Sequence, residues 1–213
     1  MDGMEIVLLA ILGLSLILSA MLIVRPKMGA TRDGKILGFV ALFMLPLMAA
    51  TFGVQVHVEK ATRTEFCLSC HLMEAYGKSL HIDDPAHIPA VHYINHRVPY
   101  DHACFTCHGD YTLFGDVKAK MRGLRHIWAQ YTEHPQPPLE LYVPFPNGNC
   151  LHCHLGSRRF EEGATHNIDP DVMKQIKADK LSCVSSGCHE TTHDTKNLDK
   201  AKFWPPGWTG DKK

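Results

Sequence analysis

The sequence predicts a mainly α-helical chain with much irregular structure, made of a two-helix membrane hairpin and an outer domain whose core is not polypeptide. Three observations point there. Two long apolar runs stand early, Met4 to Val24 and Ile36 to Val58. Residues 59–213 hold few long apolar stretches and many prolines. All eight cysteines fall in four units, each closed by a histidine.

The apolar runs come first. Met4 to Val24 carries no charge except Glu5, and the second run is interrupted only by Gln55 and His57 at its far end. At about 1.5 Å per residue, either run covers the roughly 30 Å core of a bilayer. The predicted spans are about 4–24 and 36–56, within an anchor of residues 1–58. A cleaved leader fits less well, because a basic n-region and a small-residue cleavage site are missing. Residues 25–35 between the spans carry Arg25, Lys27, Arg32 and Lys35 against Asp33, whereas the first five residues hold only the acids Asp2 and Glu5. The positive-inside rule puts this loop in the cytoplasm and residues 59–213 outside, in the periplasm of a bacterial cytoplasmic membrane. Pro46 is tolerable inside a span and predicts a kink.

In the outer domain, helices are predicted over Met73 to Leu80, Leu113 to Thr132 and Pro170 to Leu181. Asp169 or Pro170 starts the last of them, since proline suits a first helical turn. The stretch from His134 to Gly148 has too many prolines for a helix, and the tail Trp204 to Trp208 is likewise irregular. Formal net charge is zero, so nothing points to nucleic acid.

The cysteine units are Cys67-Leu-Ser-Cys70-His71, Cys104-Phe-Thr-Cys107-His108, Cys150-Leu-His-Cys153-His154 and Cys183-Val-Ser-Ser-Gly-Cys188-His189. The first three are the attachment signature of c-type haem. Two thiols add across the porphyrin vinyl groups, and the adjacent imidazole is set against the iron. The fourth unit has a longer loop that spans the same vinyl pair. Disulfides or zinc sites could absorb the cysteines but leave the four histidines unexplained. The expectation is four covalently bound haem c groups, with His71, His108, His154 and His189 as proximal ligands. The haems then form the core of the outer domain, with the polypeptide wrapped thinly around them.

Of 15 histidines four are proximal, so position must select distal ligands from the other eleven. His193 lies one helical turn beyond His189, cannot reach the opposite face of the same iron, and is placed to cap a neighbouring haem. His166 lies between motifs three and four, His81 and His92 between motifs one and two, and His126 and His134 bracket the helix after motif two. His152, inside motif three, points outward. Met73 stands two residues past His71, and a thioether ligand would raise the potential of that haem.

These residues resemble the NapC/NirT family of membrane-anchored tetrahaem quinol dehydrogenases, which includes the anchor subunit of cytochrome c nitrite reductase. The resemblance rests on an apolar anchor followed by Cys67-Leu-Ser-Cys-His-Leu-Met73, Tyr76, Ser79-Leu-His81 and His92-Tyr-Ile-Asn95. It continues in Lys118-Ala-Lys-Met-Arg-Gly after motif two and His193 after motif four. It implies that the first haem lies near the membrane surface beside a quinol site, with Met73 or His71 as ligand. The other three are implied to be bis-histidine centres, their distal ligands drawn from His81 or His92, His166 and His193. Lys118 or Lys120 matches the family's basic side chain at the quinol. The chain departs from the family in its second span, its CxxxxCH motif, an insertion from Ile82 to Val91, and the run His96 to Asp101 before motif two.

The leading functional expectation is therefore an electron conduit between the membrane quinone pool and a periplasmic redox partner, with quinol dehydrogenase activity and no catalytic side-chain triad. The alternative is a relay subunit of a larger membrane redox complex, without a quinone site of its own. A third, small-molecule reduction at an open iron, is disfavoured by the surplus of histidines.

Overall fold

A computed structural model describes residues 3–136, 138–139, 145–184, 187–190, 192–206 and 208. The chain divides into two compact units, Met1–Lys60 and Ala61–Lys213.

In the first unit, α1 (Gly3–Val24) leads through a 3₁₀ turn, Pro26–Ala30, into α2 (Arg32–Phe39), a π turn (Val40–Met44) and α3 (Leu45–Ala61). Two continuous helices result, Gly3–Val24 and Arg32–Ala61, both long and apolar enough to cross a membrane. The second begins at Arg32 and not Ile36, so the connecting loop is shorter than expected. Thr31 is the reason: its extended backbone and side-chain oxygen cap the helix by accepting from the Gly34 N–H at 3.1 Å, with Asp33 in the first turn. Gly34 is required there, because a Cβ would sit 1.7 Å from the Met28 carbonyl oxygen.

The π turn ends just before Pro46. Proline has no N–H to donate and its ring crowds the carbonyl four residues back, so the surplus residue of a wider turn relieves the helix at that point. The inner seam of the hairpin is small and partly polar: Ser15 donates to the Ala41 carbonyl at 2.9 Å, both residues being buried. Lys60 and Glu5 form an ion pair at the other end. Leu16, Ile17, Ile23, Leu42 and Val54 all point outward. Both helices are thus apolar on their exposed faces as well as long enough to cross a bilayer.

The second unit is built of short helices. In order they are α4 (Thr64–Leu68), α5 (Glu74–Ser79), α6 (Ile88–Ile94), α7 (Ala103–His108), α8 (Gly115–Thr132), α9 (Gly148–His154), α10 (Arg158–Glu161) and α11 (Pro170–Lys177). Among the described residues there is no strand, and a single bridge joins Ile82 to Phe203. Its buried apolar residues among those described are Leu80, Ile82, Ala90, Val98, Ala103, Ala129, Phe160 and Ile176. That set is too small to close a core around so long a segment.

Two of the helix ends differ from expectation, for local reasons. α8 starts at Gly115 because Phe114 is left-handed, φ 60°, and the Asp110 carbonyl approaches so closely that a Cβ on Gly115 would lie 1.6 Å from it. Asp169 caps α11 through the Asp171 N–H, with Pro170 in the first turn. α11 then stops at Lys177 in a Schellman closure, where Lys180 N–H bonds Gln175 O and Asp179 N–H bonds Ile176 O. Asp179, φ 57°, takes the position glycine usually fills.

Candidate functional site

Helical spacing explains how three motifs are presented. In α7 the residues Cys104, Cys107 and His108 stand at i, i+3 and i+4, so both thiols and the imidazole share one face. α9 does the same for Cys150, Cys153 and His154. In motif one, Cys67 is in α4, while His71 and Met73 occupy the 3₁₀ turn His71–Met73. The fourth motif lies outside any helix, and its Ser185 and Ser186 fall outside the described residues.

Three motif histidines each face a second imidazole. His108 faces His193 with ring centres 6.2 Å apart, His154 faces His92 at 6.0 Å, and His189 faces His166 at 6.3 Å. Two imidazoles on opposite faces of one iron, bonded at about 2 Å with ring centres about 1.1 Å further on, have centres about 6.2 Å apart. The three partners come from three different places: the loop after motif four, α6, and the loop before α11.

Each of those partners is also held in one tautomer. His92 Nδ1–H donates to the Ile88 carbonyl at 2.8 Å, and His166 Nδ1–H to the Phe160 carbonyl at 3.0 Å. His193 Nδ1 lies 2.8 Å from Ser79 Oγ, whose own proton is given to the Tyr76 carbonyl at 2.7 Å. The serine therefore accepts from Nδ1–H. In all three, Nε2 carries the free lone pair, the state in which imidazole binds a metal. Burial holds His193 down to about 4, helped by His108 and His87. Burial also lowers His108, with a smaller contribution from His126, and lowers His154, with contributions from His92, His189 and His166. These rings stay neutral, as ligation requires.

Side-chain bonds to backbone fasten consecutive motifs to one another. Thr64, at the start of α4, accepts from the Ala103 N–H at 2.8 Å and so joins motif one to motif two. Asn149 donates to the carbonyls of Cys107 at 2.8 Å and Gly109 at 3.1 Å, joining two to three. Asn147, 1% exposed, joins three to four: it donates to Ile176 O at 2.9 Å and Leu181 O at 2.7 Å, and accepts from the Cys183 N–H at 2.9 Å. Its own N–H donates to Asp179 Oδ1 at 2.8 Å, which accounts for an aspartate at that left-handed position. The leading thiols also pair. Cys67 lies beside Cys104, and Cys150 beside Cys183, close enough for each pair of thiols to perturb one another. Sequence reasoning missed Asn147, Asn149 and Thr64, because a single polar residue beside a motif has no periodic signature. Replacing Asn147 by alanine strands three buried backbone groups, and a loss of about 3 kcal/mol is expected. Guanidinium unfolding of the haem-loaded protein measures it.

Motif one is arranged differently. His71 is exposed and Met73 half-buried. Among the described residues His71 has no facing imidazole of the kind found at the other three motifs. His81 instead stacks on Trp208 with ring centres 4.0 Å apart and bonds the Trp204 carbonyl at 3.1 Å. Of the two candidate lysines, Lys120 lies beside this motif. Its ammonium bonds the Ala61 carbonyl and stands 4.5 Å from the Phe105 ring and 5.9 Å from the Phe66 ring. Burial lowers its pKa, partly offset by Cys67 and Asp116. Lys118 turns away to Asp110, 3.3 Å distant. His152, within motif three, is exposed and stacks on Tyr111 at 3.7 Å.

Residues 30–138 match the profile of the NapC/NirT cytochrome c family, N-terminal region. Over 80 residues the chain is 30% identical to the cytochrome c-type protein NapC of Haemophilus influenzae, a stretch that is 38% of this chain and 36% of that protein's length. No solved structure matches.

Proposed function

The chain belongs to the NapC/NirT cytochrome c family, and from that premise we propose that it is a membrane-anchored tetrahaem cytochrome moving electrons between the quinone pool and a periplasmic redox partner. Membership of the family implies covalently bound haem c. When bound, each haem supplies a one-electron iron couple tuned by its ligands and surroundings. The observation that carries the reading is the set of three facing imidazole pairs, each at the separation one iron demands.

Cys67 and Cys70, Cys104 and Cys107, Cys150 and Cys153, and Cys183 and Cys188 form the thioether bonds. His108 with His193, His154 with His92, and His189 with His166 hold three irons between them. His71 or Met73 holds the fourth. Thr64, Asn149 and Asn147 set the spacing between successive sites. The apolar hairpin is the two-pass anchor, with the basic residues of 25–35 on the cytoplasmic side and the haem unit in the periplasm. Cys67 follows the end of α3 at Ala61 so closely that the extended chain spans at most about 20 Å.

Lys120 is the side chain placed to meet a quinol oxygen beside motif one. Its partly buried ammonium favours the developing oxyanion as the quinol proton leaves to the outside. Adding a short-chain menaquinol analogue to the full-length protein in detergent is expected to reduce the haems. Lys120→Ala is expected to slow that reduction roughly tenfold to a hundredfold, the worth of one charge-assisted hydrogen bond. Lys118→Ala is expected to leave it within about twofold, since that side chain is engaged with Asp110. Haems that stay oxidised in the unaltered protein would remove the quinol role.

A second reading, a relay subunit within a larger membrane redox complex, rests on α8. Val117, Met121, Leu124, Trp128 and Tyr131 recur at helical spacing and are all exposed, Trp128 at 68% and Tyr131 at 78%. A face of that kind suits a protein partner with an apolar contact surface. Tight co-purification with a catalytic subunit, combined with inertness to quinol alone, selects this reading.

A further inference from the structure

The insertion Ile82 to Val91 contains His87, which is 1% exposed and caps the start of α6. Its Nε2 accepts from the Asp194 N–H at 3.2 Å, so the ring proton is on Nδ1. Among the described residues that Nδ1–H is buried without a partner, and so is Thr195 Oγ1. Thr195 stands two residues past His193, whose ring centre is 6.5 Å from that of His87. A buried donor left without an acceptor costs about 1–3 kcal/mol, so each calls for an acceptor that the described residues do not supply.

The neighbouring carboxylates do not fill the need. Asp84 Oδ1 accepts from the Ala86 N–H, and Asp194 is occupied by Asn197 and the Lys196 N–H. We propose that His87 Nδ1–H and Thr195 Oγ–H hold a propionate carboxylate of the haem whose iron lies between His108 and His193. The inference rests on that pairing. The propionates are the strong acceptors a haem brings, and a group at the porphyrin periphery lies beside, not above, the axial imidazole. His87 is then a positioning residue with two jobs: its Nε2 anchors the segment bearing His193, and its Nδ1 restrains the haem edge. Losing the donor leaves a less shielded negative charge near the iron, which favours the ferric state and lowers the potential.

The test is a spectropotentiometric titration of full-length, haem-loaded protein in detergent, with electron paramagnetic resonance on the same samples. His87→Gln keeps an acceptor for the Asp194 N–H and removes the Nδ1 donor; His87→Asn restores a donor at that place; Thr195→Val removes the second donor. The haem concerned is identified by His193→Ala. His87→Gln and Thr195→Val are expected to lower the potential of that one haem while all irons keep their spin state, and His87→Asn is expected to return it towards the original value. Four unchanged potentials, or a shift at a different haem, overturn the proposal while leaving the iron pairing intact. A His193→Ala protein whose irons all stay low-spin overturns the pairing, and this inference with it.

Discussion

His193→Ala is expected to turn one of four haems high-spin, open it to cyanide or carbon monoxide, and raise its reduction potential by on the order of 0.1 V, modest against the roughly 0.8 V that axial ligation commands. The effect follows from geometry. His193 faces His108 at 6.2 Å, and alanine has nothing to put in the vacated coordination position. The neighbouring His87 is not poised to replace it, because its Nε2 lone pair is taken by the Asp194 N–H. Ser79→Ala is the milder companion. It leaves the imidazole in place but frees its Nδ1, so a smaller shift at the same haem and no change of spin are expected. If every iron of the His193→Ala protein stays low-spin and refuses cyanide, the pairing is wrong.

Chain produced without haem attachment, by exchanging all eight cysteines for serine, is expected to lose the fold of residues 61–213 altogether. The described buried apolar residues of that unit number few and include three alanines, Ala90, Ala103 and Ala129. Their burial cannot offset the conformational entropy of ordering so long a segment. Its helices are mostly of two turns or fewer, too short to persist without something to pack on. The apolar hairpin is independent of the haems and is expected to survive. Limited proteolysis in detergent checks both halves: rapid digestion beyond Lys60 with a protected N-terminal fragment agrees, whereas a protease-resistant serine variant contradicts the view that haem forms the core.

The features legible in the sequence were those with a period or a fixed spacing. Both apolar helices could be read from length and hydropathy, and α11 from Asp169 and Pro170. Thr31 as a cap was obscured by the basic residues after it, which read as loop when they are the first turn of α2. At the site, spacing proposes a proximal histidine in each motif but does not choose between His81 and His92 as a distal candidate. In the structure His92 stands across from His154 and His81 is stacked on Trp208, and the proposal of His92 as the distal ligand rests on that geometry. No local pattern encodes that difference, because it depends on which loop returns to which helix. The same holds for the two lysines of α8: only the fold shows that Lys120 meets Phe66 and Phe105 while Lys118 pairs with Asp110. Asn147 and His87 were silent for a related reason, since their work is done by hydrogen bonds to segments more than 25 residues away.

Every assignment above depends on porphyrins bonded to the cysteine pairs. The intact mass of the purified protein after denaturation tests this most directly. Polypeptide plus four haems, retained through organic solvent and acid, is the expected result; polypeptide plus three or fewer contradicts it.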